Sequence, residues 1–269
     1  MTDRWTWHGG GLQAARAHYG DTDAPWLDLS TGINPHGWPV PDLPIDWTRL
    51  PEEADLKALE RAAAAHFGAD PDHVCALPGT DLSLWLLDAD NMDRAFSQEE
   101  TRRILHEPPY WSFCWASGLA LARYLAAHPD WVAGKRVLDF GAGSGVAGIA
   151  AVKAGALEVV ACDLDPLALA SCRANAELNG VELAYSADFF AEADRFDLIL
   201  VADVLYDRAN LPLLDHFLSR GREALVADSR VRDFQHPAYR RLDILDALTL
   251  PDLAEPWEFR KVSLYHSKR

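Results

Sequence analysis

The chain has 269 residues, 49% of them hydrophobic and 25% charged, a composition that suits a globular protein of one large domain or two small ones. Its 25 Lys and Arg stand against 41 Asp and Glu, for a formal net charge of −16. That balance argues against a general nucleic-acid binder, because phosphate binding needs a basic face. No apolar stretch approaches the ~20 residues that span a bilayer. The start, Met1-Thr-Asp-Arg-Trp-Thr-Trp-His8, lacks the apolar run of a signal peptide. No membrane role is expected, and the expected compartment is the cytoplasm. Cys75, Cys114, Cys162 and Cys172 show no paired metal spacing, so reduced core thiols are expected. His8, Asn34, His36, His66 and His73 match no zinc pattern either, and no metal is expected.

Residues 1 to about 76 read as an irregular arm. Gly9-Gly-Gly11, Asn34-Pro35, Trp38-Pro39, Pro41 and Pro44 punctuate it too often for long regular elements. One helix is predicted, from about Glu52 to Phe67, with Leu56, Leu59, Ala63 and Phe67 as its stripe and Gly68 as its stop. From about Leu77 the apolar pattern becomes dense. Leu82–Leu87 reads as a strand, and Ser97-Gln-Glu-Glu100 as a capping box opening a helix that ends at Pro108-Pro109. A helix is predicted over Ala116–Ala127. Strand Val137–Phe140, helix Gly145–Ala154, strand Glu158–Asp163 and helix Pro166–Asn179 come next. Strands near Leu183–Ser186, Leu198–Asp203 and Ala224–Asp228 continue the series, with helix Leu211–Arg220 before the last of them. Two β-rich runs, Leu242–Leu250 and Trp257–His266, close it as an antiparallel hairpin. Such alternation predicts an α/β, doubly wound, mostly parallel sheet.

The most informative stretch is Arg136-Val-Leu-Asp-Phe-Gly-Ala-Gly-Ser-Gly145. A strand that breaks into glycines before a helix lets the backbone approach a nucleotide and offers it free N–H groups. Gly143-Ser-Gly145-Val-Ala-Gly148 fits the dinucleotide string, but it is out of register with the strand, whose first glycine is Gly141. Asp139, two residues earlier, would repel a pyrophosphate and attract a sulfonium and an ammonium. The residues therefore favour S-adenosyl-L-methionine at Gly141, Gly143 and Gly145, over a dinucleotide or a structural turn. Asp163 ends the next strand, where a carboxylate can accept from both ribose hydroxyls, while Asp165 before Pro166 reads as the N-cap of the helix after it. Asp188 stands where an adenine amino group could be met; a plain loop aspartate is the alternative. Asp203-Val-Leu-Tyr206 ends the most apolar strand, at the crevice where open sheets bind ligands. Asp203 and Tyr206 are candidates to orient an incoming amine, or Asp203 only caps the next segment. Pro108-Pro-Tyr-Trp-Ser-Phe-Cys-Trp115 is either core and lid, or a wall in which Trp111 and Trp115 border a cation.

Taken together, residues 77–269 resemble the class I S-adenosylmethionine-dependent methyltransferases. Within them they resemble the seven-β-strand protein-lysine methyltransferases acting on the electron transfer flavoprotein β subunit. The residues that carry this are Pro109–Gly118, Ala120-Leu-Ala-Arg-Tyr-Leu125, Val137–Gly145, Asp163–Pro166, Asn175-Ala-Glu-Leu-Asn179-Gly180 and the D-x-x-Y of Asp203–Tyr206. The resemblance implies a seven-stranded sheet with its last strand antiparallel, and methyl transfer to a lysine of a protein substrate. Relatives with other acceptors keep a small-molecule N- or O-methyltransferase open. The first 76 residues resemble something else. His8-Gly-Gly-Gly11, Asp28-Leu-Ser-Thr-Gly-Ile-Asn-Pro35 and Leu50-Pro51 are similar to the amino terminus of threonine-phosphate decarboxylase, a pyridoxal-phosphate enzyme of cobalamin synthesis. That likeness stops near Pro78-Gly-Thr80, before anything that would build a pyridoxal site. The arm is expected to be catalytically silent, and a non-catalytic or decarboxylase-related protein is the third reading.

Overall fold

A computed structural model describes residues 12–20, 53–67, 74–76, 80–88, 95–192, 195–231 and 234–268. The chain divides into two units, Met1–Pro71 and Asp72–Arg269. In the first, helix α1 spans Leu12–Tyr19 and α2 spans Glu53–Phe67. Helix α1 escapes the sequence reading because eight residues between two glycines carry too little periodicity to stand out. In α2 the expected stripe is not the buried one. Leu56 and Leu59 are exposed, whereas Glu60 and Ala64, one turn apart, are buried. The run Ala62–Ala65 gives this helix no bulky face, so periodicity does not select one. The motifs at Gly9–Gly11 and 28–35, with Asn34, His8 and His36, lie outside the described residues.

The second unit opens with a two-stranded antiparallel sheet, β1 (Val74–Ala76) on β2 (Ser83–Trp85). Helix α3 (Gln98–His106) starts at the predicted capping box. The Ser97 amide donates to Glu100 Oε2 at 2.8 Å, and the Glu100 amide to Ser97 Oγ at 3.2 Å. Then come α4 (Ala116–Ala127), β3 (Arg136–Phe140), α5 (Val146–Lys153), β4 (Glu158–Cys162) and α6 (Pro166–Leu178). Strands β5 (Ala184–Ser186) and β6 (Phe196–Ala202), helix α7 (Leu213–Arg220), and strands β7 (Gly221–Asp228), β8 (Tyr239–Asp246) and β9 (Lys261–Lys268) complete the unit. The seven-stranded sheet runs β5-β4-β3-β6-β7-β9-β8. Strands β3 to β7 pair in parallel, and β9 is antiparallel to both its neighbours. This is the doubly wound sheet that the sequence predicts, closed by an antiparallel last strand.

Alternation along the strands explains both layers of core. Val137, Leu198, Leu200 and Leu225 face α4 and α5, with Leu119, Leu121 and Ile149. Their neighbours Leu138, Ile199, Val201 and Val226 face the other way, onto Leu214 and Phe217 of α7. Residues one apart thus bury on opposite faces, as a period of two requires. Four successive side chains of β6, Leu198–Val201, are fully buried. At about 1.5–3 kcal/mol each, they fix this strand at the centre of the sheet. Asn175 in α6 and Asn179 at its C-cap tie the small sheet to this helix and to the loop after β3. Asn175 accepts the Trp85 amide and donates to Ser144 O at 2.8 Å. Asn179 brackets the Ser83 backbone from both sides.

The parallel strands all end at one edge, and the loops leaving that edge carry the glycines and aspartates singled out above. No helix among the described residues is long and apolar enough to cross a membrane.

Candidate functional site

Between β3 and α5 the chain turns through three left-handed glycines, Gly141 (φ 66°), Gly143 (φ 53°) and Gly145 (φ 81°). Side chains strain such a backbone. Helix α5 has no cap of its own, because Gly145 at its N-cap offers no side chain. Asp139 supplies one from the strand: its Oδ2 accepts the Gly148 amide at 2.8 Å. Asp139 is buried beneath the loop and is not among the residues of the cavity wall. Asp139 therefore serves as the cap of α5.

Burial pushes the Asp139 carboxyl up to about 7, against the amide of Gly148 and with some help from Asp163. A raised carboxyl holds its proton in the folded state while the unfolded chain has already lost it. The stabilising contribution is therefore full below about pH 4 and lost as pH rises through 7. The loss is of order 4 kcal/mol. Asp139→Asn keeps an oxygen for Gly148, so its melting temperature is expected to vary less than the native chain's between pH 4 and 7. Parallel curves for the two proteins would contradict this.

Asp163 leaves the tip of β4 and folds back over the loop. Its Oδ2 accepts the Gly143 amide at 3.0 Å and its Oδ1 the Asp165 amide at 3.0 Å. A carboxylate has about four lone-pair sites, so two remain, one on each oxygen, matched to a vicinal diol. Asp165 caps α6 by accepting the Leu167 amide at 2.8 Å, as predicted. Asp163 lines a cavity of about 680 Å³ that also takes in Gly141 and Gly143. Beside it Leu164, Ala168, Phe189 and Phe190 make an apolar slot fit for a flat ring. Gly145 and Asp188 are not in this wall. Asp188 is exposed and spends one oxygen on the Phe190 amide at 2.8 Å, so it shapes the turn that presents Phe189 and Phe190.

The other end of the cavity lies at the tips of β6 and β7. Asp203, in the left-handed region at φ 49°, turns its carboxylate toward α4 and toward Ser229. Tyr206 is half exposed on the wall, with its ring 6.0 Å from that of Tyr110. Burial, Tyr110 and nearby acids raise its phenol above the usual value. Trp111 and Trp115 both line the cavity. The Trp115 indole N–H donates to Tyr110 O at 2.8 Å, which sets that ring's orientation. Phe140 backs the cavity floor, stacked edge-on to Phe189 and Phe217 at 5.0 and 4.9 Å.

Several residues in and around this wall have no signature in the sequence. Arg230 is the one Lys or Arg among the described wall residues. It pairs with Glu255 and stacks on Phe259 with its guanidinium 3.8 Å from the ring centroid. Thr249 Oγ1 donates to Glu255 at 2.8 Å and accepts the Ala116 amide at 3.3 Å. Asp228, buried at the end of β7, accepts the amides of Leu205, Arg230 and Val231, and burial raises its carboxyl to about 6. These ties hold the loops after β6 and β7 against each other. Cys162 also reaches the wall, but burial pushes its thiol up to about 12 and removes it as a nucleophile. Cys114, Cys162 and Cys172 are buried and form no disulfide among the described residues. No group of three or more His, Cys, Asp or Glu poised for a metal occurs among the described residues.

Parts of the chain are similar to known proteins. Residues 126–218 match the family described as ribosomal protein L11 methyltransferase (PrmA). More particularly, the chain is 40% identical over 153 residues to the electron transfer flavoprotein beta subunit lysine methyltransferase of Danio rerio, covering 54% of this chain and 59% of that protein. The Xenopus laevis protein of the same name is 39% identical over 153 residues, covering 54% and 62%. The chain thus spans about three fifths of the length of these curated relatives. A separate likeness, 40% over 81 residues, is to a threonine-phosphate decarboxylase of Sinorhizobium sp, covering 30% of this chain and 24% of that one. Both resemblances drawn from the motifs therefore have counterparts among known proteins.

Proposed function

We propose that the second unit is an S-adenosyl-L-methionine-dependent methyltransferase that transfers a methyl group to a lysine amine of a protein. The electron transfer flavoprotein β subunit is the first acceptor to try. The observation that carries this reading is Asp163, a carboxylate on the wall of a glycine-lined cavity with two lone pairs left over. The fit is good on its own terms. The turn at Gly141–Gly143 brings bare backbone to the wall, the slot at Phe189 and Phe190 suits a flat base, and Trp111, Trp115 and Tyr110 suit a cation. S-adenosyl-L-methionine supplies an activated methyl on a good leaving group.

The protein's part is alignment and exclusion of water. Gly141, Gly143 and Asp163 hold the nucleoside at one end. Tyr110, Trp115 and Tyr206 line the passage for the lysine stem at the other. With the donor bound, these residues would align the amine's lone pair with the methyl carbon, and the bonding pair would leave on sulfur. A lysine with its ordinary pKa of about 10.4 must lose a proton first. The first 76 residues are proposed to take no part in this chemistry.

The test offers tritiated donor with purified electron transfer flavoprotein and, separately, with small amines, using the chain with and without residues 1–76. Label on a protein lysine, located by mass spectrometry, is expected with both forms. Label in small amines alone would favour the small-molecule reading, and a pyridoxal absorbance band would favour the decarboxylase one.

A further inference from the structure

We infer that Glu255 is a specificity-determining residue of the acceptor end: it neutralises Arg230, so that a lysine ammonium entering the cavity meets no uncompensated cation. The inference rests on the methyl-transfer reading and deepens it.

The charged side chains of the described cavity wall are Asp163, Asp165, Asp203 and Arg230. Asp163 and Asp165 follow β4, at the donor end. Arg230 belongs to the other end, two residues past β7, which pairs with β6. The residue before it, Ser229, donates its amide and its hydroxyl to Asp203 Oδ1 at 3.1 and 2.8 Å. Ser117 of α4 donates to the same carboxylate. A guanidinium keeps its charge at any working pH. Without a partner here, it would repel an incoming ammonium and compete with it for Asp203.

Glu255 removes that conflict. Among the described residues it is the one carboxylate paired with Arg230, and it stands outside the wall. The Arg230 charge is thus balanced without using Asp203, which stays on the wall for the substrate. Both partners are held in place. The guanidinium lies 3.8 Å from the centroid of the Phe259 ring. Thr249, buried at 2% exposure, gives its hydroxyl to Glu255 Oε2 at 2.8 Å. The pair is also largely shielded, with side-chain exposures of 26% and 16%. Salt screens such charges less than surface ones, and removing one partner leaves the other uncompensated.

A purely structural role for Glu255 would run through Thr249, which accepts the Ala116 amide at the start of α4 at 3.3 Å. Loss of Arg230 would not repair that role. It would repair a charge imbalance, and a double-variant cycle separates the two.

The experiment measures kcat and KM for purified electron transfer flavoprotein with tritiated donor, at low and at high salt. It compares the full chain with Glu255→Gln, Arg230→Met and the double variant. Calorimetric binding of S-adenosylhomocysteine checks that each variant keeps its donor site. Glu255→Gln keeps an oxygen for Thr249 and removes only the charge. It should raise KM about tenfold at low salt and less at high salt, with the affinity for S-adenosylhomocysteine unchanged. Arg230→Met keeps a stem against Phe259 and should lower KM, because the unpaired Glu255 then adds to the attraction. The double variant should bring KM back to within about threefold of the native value. Should Glu255→Gln fail to bind S-adenosylhomocysteine, the sign of the KM change in Arg230→Met carries the test alone. A native KM in Glu255→Gln, or a double variant no better than Glu255→Gln, would overturn the inference. So would a higher KM in Arg230→Met, which would make Arg230 a partner of the acceptor. A native chain that binds no S-adenosylhomocysteine, or moves no methyl group to the flavoprotein, would instead remove the reading beneath the inference.

Discussion

Asp163→Ala is expected to weaken binding of S-adenosylhomocysteine by a hundredfold or more in titration calorimetry. In the native chain this carboxylate joins the Gly143 loop to the start of α6 through amides at 3.0 Å on each side, and keeps two lone pairs for a diol. Hydrogen bonds to a charged group contribute about 1.5–3 kcal/mol each, so two lost to a ligand amount to at least about 3 kcal/mol. Every 1.4 kcal/mol is tenfold in affinity. Asp163→Asn should fall between, since one oxygen can still accept. Asp188→Ala provides the contrast. That side chain is exposed and outside the cavity wall, and its loss is expected to change affinity by less than about threefold. Equal effects at the two positions would remove Asp163 from the ligand.

Gly145→Ala is expected to destabilise the fold strongly. A Cβ there would collide with the Cys172 sulfur and stand 3.2 Å from the Cys172 Cβ and 3.3 Å from its Cα. The residue would also have to hold φ 81°, which costs an L side chain about 1–2 kcal/mol. Overpacking adds about 1–3 kcal/mol, for a total of about 3 kcal/mol. Denaturant unfolding should show that loss. Adding Cys172→Ala should recover only part of it, because removing the sulfur leaves the backbone strain and the close approach to α6. Full recovery in the double variant would show the backbone strain to be absent, and no loss at all would show that the loop can open away from α6.

The two positions also show where sequence reading succeeds. Closely spaced glycines after a strand imply left-handed turns on local grounds, and an acid at the next strand tip is expected from parallel topology. Helix α4 is legible to its ends, since a run of small and apolar residues lies between Trp115 and His128-Pro129. The closing hairpin is less legible. Its strands are β8 at Tyr239–Asp246 and β9 at Lys261–Lys268, against the expected 242–250 and 257–266. Thr249 and Leu250 leave the strand to meet Ala116 and Cys114 instead, a tertiary demand that local pattern does not carry. At the sheet edge β8 is largely exposed, so burial does not impose a clean alternation there.

In the site, the residues that stay hidden from the sequence are those that depend on closure. Arg230 and Phe259 lie about thirty positions apart and stack only once β9 has inserted between β7 and β8. Ser117 and Ser229 are ordinary serines in sequence, and become partners of Asp203 only because α4 begins and β7 ends beside the end of β6. Asp139 illustrates the converse. A carboxylate before the glycines serves equally to meet the ligand or to cap α5, so its identity alone does not separate the two. The structure assigns it the cap.

Everything proposed for this chain depends on a methyl-donor site at the tips of β3 and β4, and calorimetry of the full chain tests that site most directly. Titration with S-adenosylhomocysteine should give saturable heat, at an affinity that Asp163→Ala lowers a hundredfold or more, and titration with a nicotinamide dinucleotide should give none. Silence toward S-adenosylhomocysteine, or heat with the dinucleotide in its place, would rule the site out.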